Sequence, residues 1–120
     1  MTLDYGLTAP EFWVPSRAQG TLRSYTRHRG SGELLADPGE RDLTAHVNFS
    51  AVQRSGEIEG LATEEFCFQE HFLGQAAAGM MRERPAWWTP ARRAQLQTLI
   101  HPEHLGRPFR VLVQGRTNPE

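Results

Sequence analysis

The chain contains no lysine; all 13 of its basic residues are arginine. A genome rich in G and C accounts for that bias, and the sequence reads as bacterial in type. The bias has a physical consequence, because a planar guanidinium stacks on aromatic rings and grips a carboxylate through two parallel hydrogen bonds, whereas an ammonium acts as a point charge. Cysteine occurs once, at Cys67, which excludes an internal disulfide and leaves no CxxC pair for redox or zinc chemistry. A reducing compartment is expected. No run approaches the roughly 18 apolar residues of a membrane span. The opening MTLDYGLTAPEFWV carries Asp4 and Pro10 and no basic segment, so it does not resemble a secretory signal. The protein is therefore expected to be soluble and cytoplasmic, with no membrane partner.

What is present fits one loop-rich domain over residues 1–120, with 11 glycines and 8 prolines. The net charge is only -1 but unevenly laid out. Residues 12–32 hold four arginines and no acid, residues 33–70 hold nine acids against Arg41 and Arg54, and the part from Arg82 onward holds seven arginines against three acids. Basic, acidic and basic segments thus follow one another. Complementary faces of this kind orient a partner, so a homo-oligomer, simplest as a homodimer, or another protein partner is expected.

The first 20 residues, broken by Pro10, Pro15 and Gly20, read as an irregular arm anchored by Phe12, Trp13 and Val14. Residues 21–29 predict a strand, RGSG a turn, and 33–36 a short second strand. LTAHVNFSAV, 43–52, alternates apolar and polar residues, which predicts a strand with Val47 and Phe49 on one face and His46, Asn48 and Ser50 on the other. QRSG would then turn the chain into a pairing strand at GEIEGLA. Thr63 followed by Glu64 and Glu65 reads as a helix start, giving one helix from about Thr63 to Arg82. In a rival reading EFCFQ continues the preceding strand and the helix begins near Gln69. Thr89 and Pro90 cap a second helix running to about Ile100, RPFRVLVQG is a final strand, and 116–120 is a frayed tail. The class is α+β: an antiparallel sheet of about four to five strands, two helices of the C-terminal half packed on one face, and the final strand after them.

No chemical motif assembles from spacing. His46, Cys67, Glu70, His71, His101 and His104 are the metal-ligating types present, but HPEH has Pro102 between its histidines and HExxH is absent. No metal and no cofactor are expected, and GSG and GQAAAG lack the setting of a phosphate loop. Cys67 and His71 would share a face only on a helix. RERPAWWTPARR, 82–93, interleaves arginines with two tryptophans, and SYTRHR does so more weakly. The binding candidates are Arg84, Trp87, Trp88, Arg92, Arg93, Arg27, His46 and Asn48, with one of the two tryptophans buried and the other exposed beside an arginine. The function expected from these features is a non-enzymatic interaction module that self-associates. The alternatives are a single-stranded nucleic-acid binder using the arginine and tryptophan surface, less favoured with an acidic middle segment, and a small enzyme using His46, Asn48 and Ser50 with His71 or Cys67.

Overall fold

A computed structural model describes residues 1–26 and 29–116. Two sheets organise the chain. The larger has four strands in the order β5-β1-β7-β6, built from β1 (Thr2–Leu7), β5 (Val47–Asn48), β6 (Leu61–Phe68) and β7 (Phe109–Arg116). The smaller is antiparallel, β3-β2-β4, with β2 (Arg23–Thr26), β3 (Arg29–Ser31) and β4 (Asp42–Thr44). Among the described residues four α-helices complete the fold: α1 (Ala9–Phe12), α2 (Phe49–Ile58), α3 (Gln69–Glu83) and α4 (Pro90–Ile100). The α+β class stands, with α3 and α4 in the C-terminal half and β7 after them. The four-stranded sheet is mixed, since β5 runs parallel to β1 while β7 is antiparallel to both β1 and β6.

Alternation along β7 buries both of its faces: Leu112 and Val111 are neighbours in sequence, and each is almost wholly inaccessible. On the Leu112 side, Phe66 lies opposite in register and meets the Phe49 ring at the start of α2, with centroids 5.5 Å apart. Gly6 in β1 underlies the same ring, and a methyl group there would run into Phe49. Gln114 reaches α2 as well, its amide donating to the Gln53 carbonyl (2.9 Å). α3 packs on β6 and β7 and against α4. Its first residue, buried Gln69, donates to the carbonyls of Leu99 (2.8 Å) and Leu105 (3.3 Å), tying the start of α3 to the end of α4 and the π-helical turn Pro102–Gly106.

Several expectations are corrected. Residues 2–7 of the supposed arm form β1, which sits inside the four-stranded sheet. The strand expected at 33–36 does not form, and the pairing strand of that hairpin lies earlier, at Arg29–Ser31. The run 43–52 is not one strand. Only Asp42–Thr44 and Val47–Asn48 are extended, and Asn48 then caps α2, its Oδ1 accepting the Ala51 amide at 3.2 Å. A side chain able to satisfy the free amides of a first turn outcompetes alternation. QRSG and most of GEIEG lie within α2, so the hairpin there is absent. Thr63 is a strand residue rather than a cap: β6 pairs with β7 along its length, and Thr63 Oγ1 donates to Glu57 Oε1 at 3.0 Å. The long helix starts at Gln69, as the rival reading has it, and α4 starts where Thr89 and Pro90 place it, with Thr89 Oγ1 accepting the Arg92 amide.

Candidate functional site

The register of the small sheet brings Thr44 opposite Arg23 and Asp42 opposite Tyr25, so these four side chains project from one face. Facing them from the larger sheet is Tyr5, whose ring lies against Phe109 with centroids 4.0 Å apart. Thr21, Ala45 and His46 complete the lining of an open cavity of about 460 Å³, a size in the range of small-molecule sites, in which only Thr21 is buried. Thr21 is buried and its hydroxyl oxygen accepts the His46 amide at 3.1 Å, which fixes where the imidazole begins. The cavity thus offers two phenols, a carboxylate, a guanidinium, hydroxyls and an imidazole, and it lies between the two sheets.

His46 titrates below its ordinary range, first because of burial and then because Arg17 and Arg23 repel a second positive charge. It is therefore neutral at neutral pH and able to accept a proton. An NMR titration of the ring protons should place its midpoint below the ordinary imidazole value of about 6.5, and Arg23→Ala should move it back up. An unshifted midpoint in the native chain would remove this account of the site. The unfolded chain binds that proton more readily, so the contribution to stability is whole above about pH 6.5 and is lost as pH falls through the lowered value.

The residues singled out from sequence do not all meet. Arg84, Trp87, Trp88, Arg92 and Arg93 share one corner, formed by the end of α3, the 3-10 turn Pro85–Trp87 and α4. Trp88 is 8% exposed and Trp87 41% exposed, and the Arg92 guanidinium lies 4.2 Å from the Trp87 ring centre. Both helix arginines are engaged locally: Arg92 Nη1 donates to the Trp87 carbonyl (2.7 Å) and Arg93 Nε to that of Trp88 (3.3 Å). They hold the turn against α4. Arg27 lies outside the described residues.

His46 lines the cavity, but Asn48 caps α2 and Ser50 Oγ accepts the Ala9 amide at 2.9 Å. These three do not form one polar strand face, because Ser50 is helical. Cys67 is on β6, not on a helix with His71. Its thiol donates to Glu65 Oε1 (3.2 Å), and burial together with that carboxylate pushes it up to about 11, which disqualifies it as a nucleophile. His71 is paired with Gln75 at 2.8 Å on the exposed side of α3. Among the described residues no group of three or more His, Cys, Asp or Glu could hold a metal ion, and no helix is long and apolar enough to cross a membrane. Sequence reading missed Tyr5, Thr21, Arg23, Tyr25, Asp42 and Thr44 as a set. Tyr25 stands in SYTRHR, but no sequence pattern marks Asp42, and only strand pairing sets it opposite Tyr25.

The pattern of one protein family, described as "Putative S-adenosyl-L-methionine-dependent methyltransferase", matches residues 1–67. Two crystal structures from Burkholderia thailandensis are similar. One is of a "likely methyl transferase" bound to S-adenosyl-homocysteine, with 32% identity and a TM-score of 0.79 over 95% of this chain and 30% of that one. The other is a native structure of a protein of the same superfamily, with 34% identity and a TM-score of 0.76 over 95% of this chain and 32% of that one. The chain thus spans about a third of the length of these relatives. No curated protein matches it. These findings overturn the expected non-enzymatic interaction module, because they point to an enzyme. Spacing did not disclose this: no run in the sequence carries the signature of a nucleotide-binding turn.

Proposed function

The chain belongs to this methyltransferase family, and from that premise we propose that it forms the acceptor-facing part of an enzyme that transfers a methyl group from S-adenosyl-L-methionine. One observation carries the reading. All the residues that line the cavity between the two sheets, from Tyr5 to His46, fall within the matched span 1–67, whereas the tryptophan and arginine corner falls outside it.

The described residues do not by themselves make a site for the methyl donor. A nucleoside is usually approached by backbone at a glycine-rich turn from strand to helix. Here β1 enters α1 through Leu7 and Thr8, β5 enters α2 at Asn48, and β6 runs directly into α3. Gly6, near the first of these junctions, is covered by the Phe49 ring. Donor binding is therefore assigned to the part of the enzyme outside this chain, and no step is routed through it.

The cavity suits the other reactant. An N–H or O–H nucleophile must lose a proton as its bond to carbon forms. Neutral His46 is the lining group fitted to take it, while the Asp42 carboxylate and the Tyr25 phenol can orient the nucleophile through hydrogen bonds. The test is a chimera in which this chain replaces the matched third of the B. thailandensis protein, supplied with S-adenosyl-L-methionine and an extract of that organism as acceptor source. S-adenosyl-homocysteine should accumulate, and His46→Gln should slow its formation by about a hundredfold while leaving S-adenosyl-homocysteine binding intact. Equal rates with and without the imidazole, or no turnover at all, would rule the assignment out.

A further inference from the structure

The small sheet has a second face. Alternation along its strands sends Arg23, Tyr25, Asp42 and Thr44 to the acceptor cavity and the residues between them to the opposite side. On that reverse face Thr26 pairs with Arg29 of β3, and Ser31 follows two residues further along the same strand. Arg41 immediately precedes β4, so continuing the register past Tyr25 and Asp42 sets it on the other flank of Thr26. These four residues and Gly30 line an open cavity of about 580 Å³. No carboxylate is among the described lining residues.

The lining is rich in donors that lack acceptors. Arg29 makes no ion pair among the described residues. Arg41 Nη2 donates to Asp37 Oδ2 at 3.1 Å, but Arg41 Nε and Thr26 Oγ1 are both buried without a hydrogen-bond partner among the described residues. Ser31 Oγ accepts the Glu33 amide at 3.1 Å, which leaves its own proton to donate. The neighbouring Ser24 hydroxyl, by contrast, is spent inside the sheet on the carbonyls of Ser31 (3.2 Å) and Glu33 (3.0 Å). Two guanidiniums lining one cavity repel each other, and buried donors without acceptors are costly. An oxyanion of high charge relieves both.

We propose that this reverse face binds a phosphate dianion, free or as the terminal group of a small monoester, through Arg29, Arg41 and the Thr26 and Ser31 hydroxyls. A terminal phosphate carries about -1.5 to -2 charge at neutral pH and three strong acceptor oxygens, which matches two guanidiniums and two hydroxyls. A carboxylate or a phosphodiester brings a single charge and two free oxygens, so either leaves part of the set unpaired. Asp37 is the internal competitor. Its side chain is 68% exposed and it holds one nitrogen of Arg41 only, so it yields to an anion that engages both arginines. The site lies across β2 and β4 from the acceptor cavity, and its ligand does not displace the acceptor.

The experiment titrates the full chain with inorganic phosphate, glycerol phosphate and dimethyl phosphate at constant ionic strength, read by calorimetry and by amide NMR shifts. Saturable one-to-one binding of inorganic phosphate is expected, with shifts concentrated at Thr26, Gly30, Ser31 and Arg41. Arg29→Gln should weaken it at least about tenfold, whereas Arg54→Gln, exposed on α2, should leave it unchanged. Asp37→Asn removes the competitor and should tighten binding about threefold. Asparagine tolerates the φ of 45° at this position, so the loop keeps its shape in that variant. Both phosphate dianions should bind: tighter binding of glycerol phosphate than of inorganic phosphate marks an ester as the natural ligand, and the reverse order marks the free ion. Dimethyl phosphate binding as well as either, no saturation up to roughly 10 mM, indifference to Arg29→Gln, or no gain from Asp37→Asn would each overturn the proposal. Methyl transfer is not read, so the outcome is independent of the catalytic reading.

Discussion

Phe49→Ala should remove about 3–5 kcal/mol of folding stability, which urea or guanidinium unfolding will read as a drop in midpoint at unchanged slope. The ring is 1% exposed and joins three elements: it begins α2, meets Phe66 of β6 and lies over Gly6 of β1. Few other large side chains are as deeply buried, so the core has little to rearrange into the space. Gly6→Ala should destabilise by about 1–3 kcal/mol through overpacking. In the Phe49→Ala background that penalty should largely vanish, because the added methyl then meets no ring, and the double-mutant cycle measures the coupling. If the two effects simply add, the ring and the glycine are not in contact, and the packing of α2 on β1 described above is wrong.

The second large effect separates adjacent residues. Trp88→Ala should cost about 3–5 kcal/mol, whereas Trp87→Ala should cost about 1 kcal/mol or less, most of it the stacking of Arg92 on an exposed ring. Thermal melts of the two variants side by side are sufficient. Trp88 carries an indole N–H that is buried without a hydrogen-bond partner among the described residues. Trp88→Phe should therefore be milder than the lost volume alone implies, since it removes an unsatisfied donor. Equal losses for the two alanine variants would mean that the corner is a hinge in which both rings are structural.

How far the sequence discloses this molecule depends on which interactions are local. Thr89 and Pro90 announce α4 because a hydroxyl cap and a preset proline φ act within one turn. The final strand is legible for the same reason: VLV flanked by arginine and glutamine has no competing local pattern. LTAHVNFSAV misleads because its alternation is real but irrelevant past residue 48, where one Asn side chain redirects the chain into α2. Thr63 misleads in the opposite sense. Its helix-start signature is overridden by pairing with Gln114, far away in sequence. The candidate site was the least legible part, because strand pairing gathers its β2 and β4 residues and Tyr5 comes from β1 in the other sheet, and no short motif records that. Of the set, the sequence points only to His46, and it groups that residue with neighbours that the fold sends elsewhere.

The Asp4 carboxylate accepts the Tyr5 amide of β1, which bears on how this strand resists aggregation. An unpaired strand edge is a template for sheet growth between molecules and, in the limit, for fibrils. Here a charged side chain sits on the pairing groups themselves and holds one of them in a bond of 2.7 Å. A stray strand must displace that bond and tolerate the charge, whereas a strand of matched register regains several backbone bonds for the one it breaks. The edge is thereby guarded against promiscuous polymerisation.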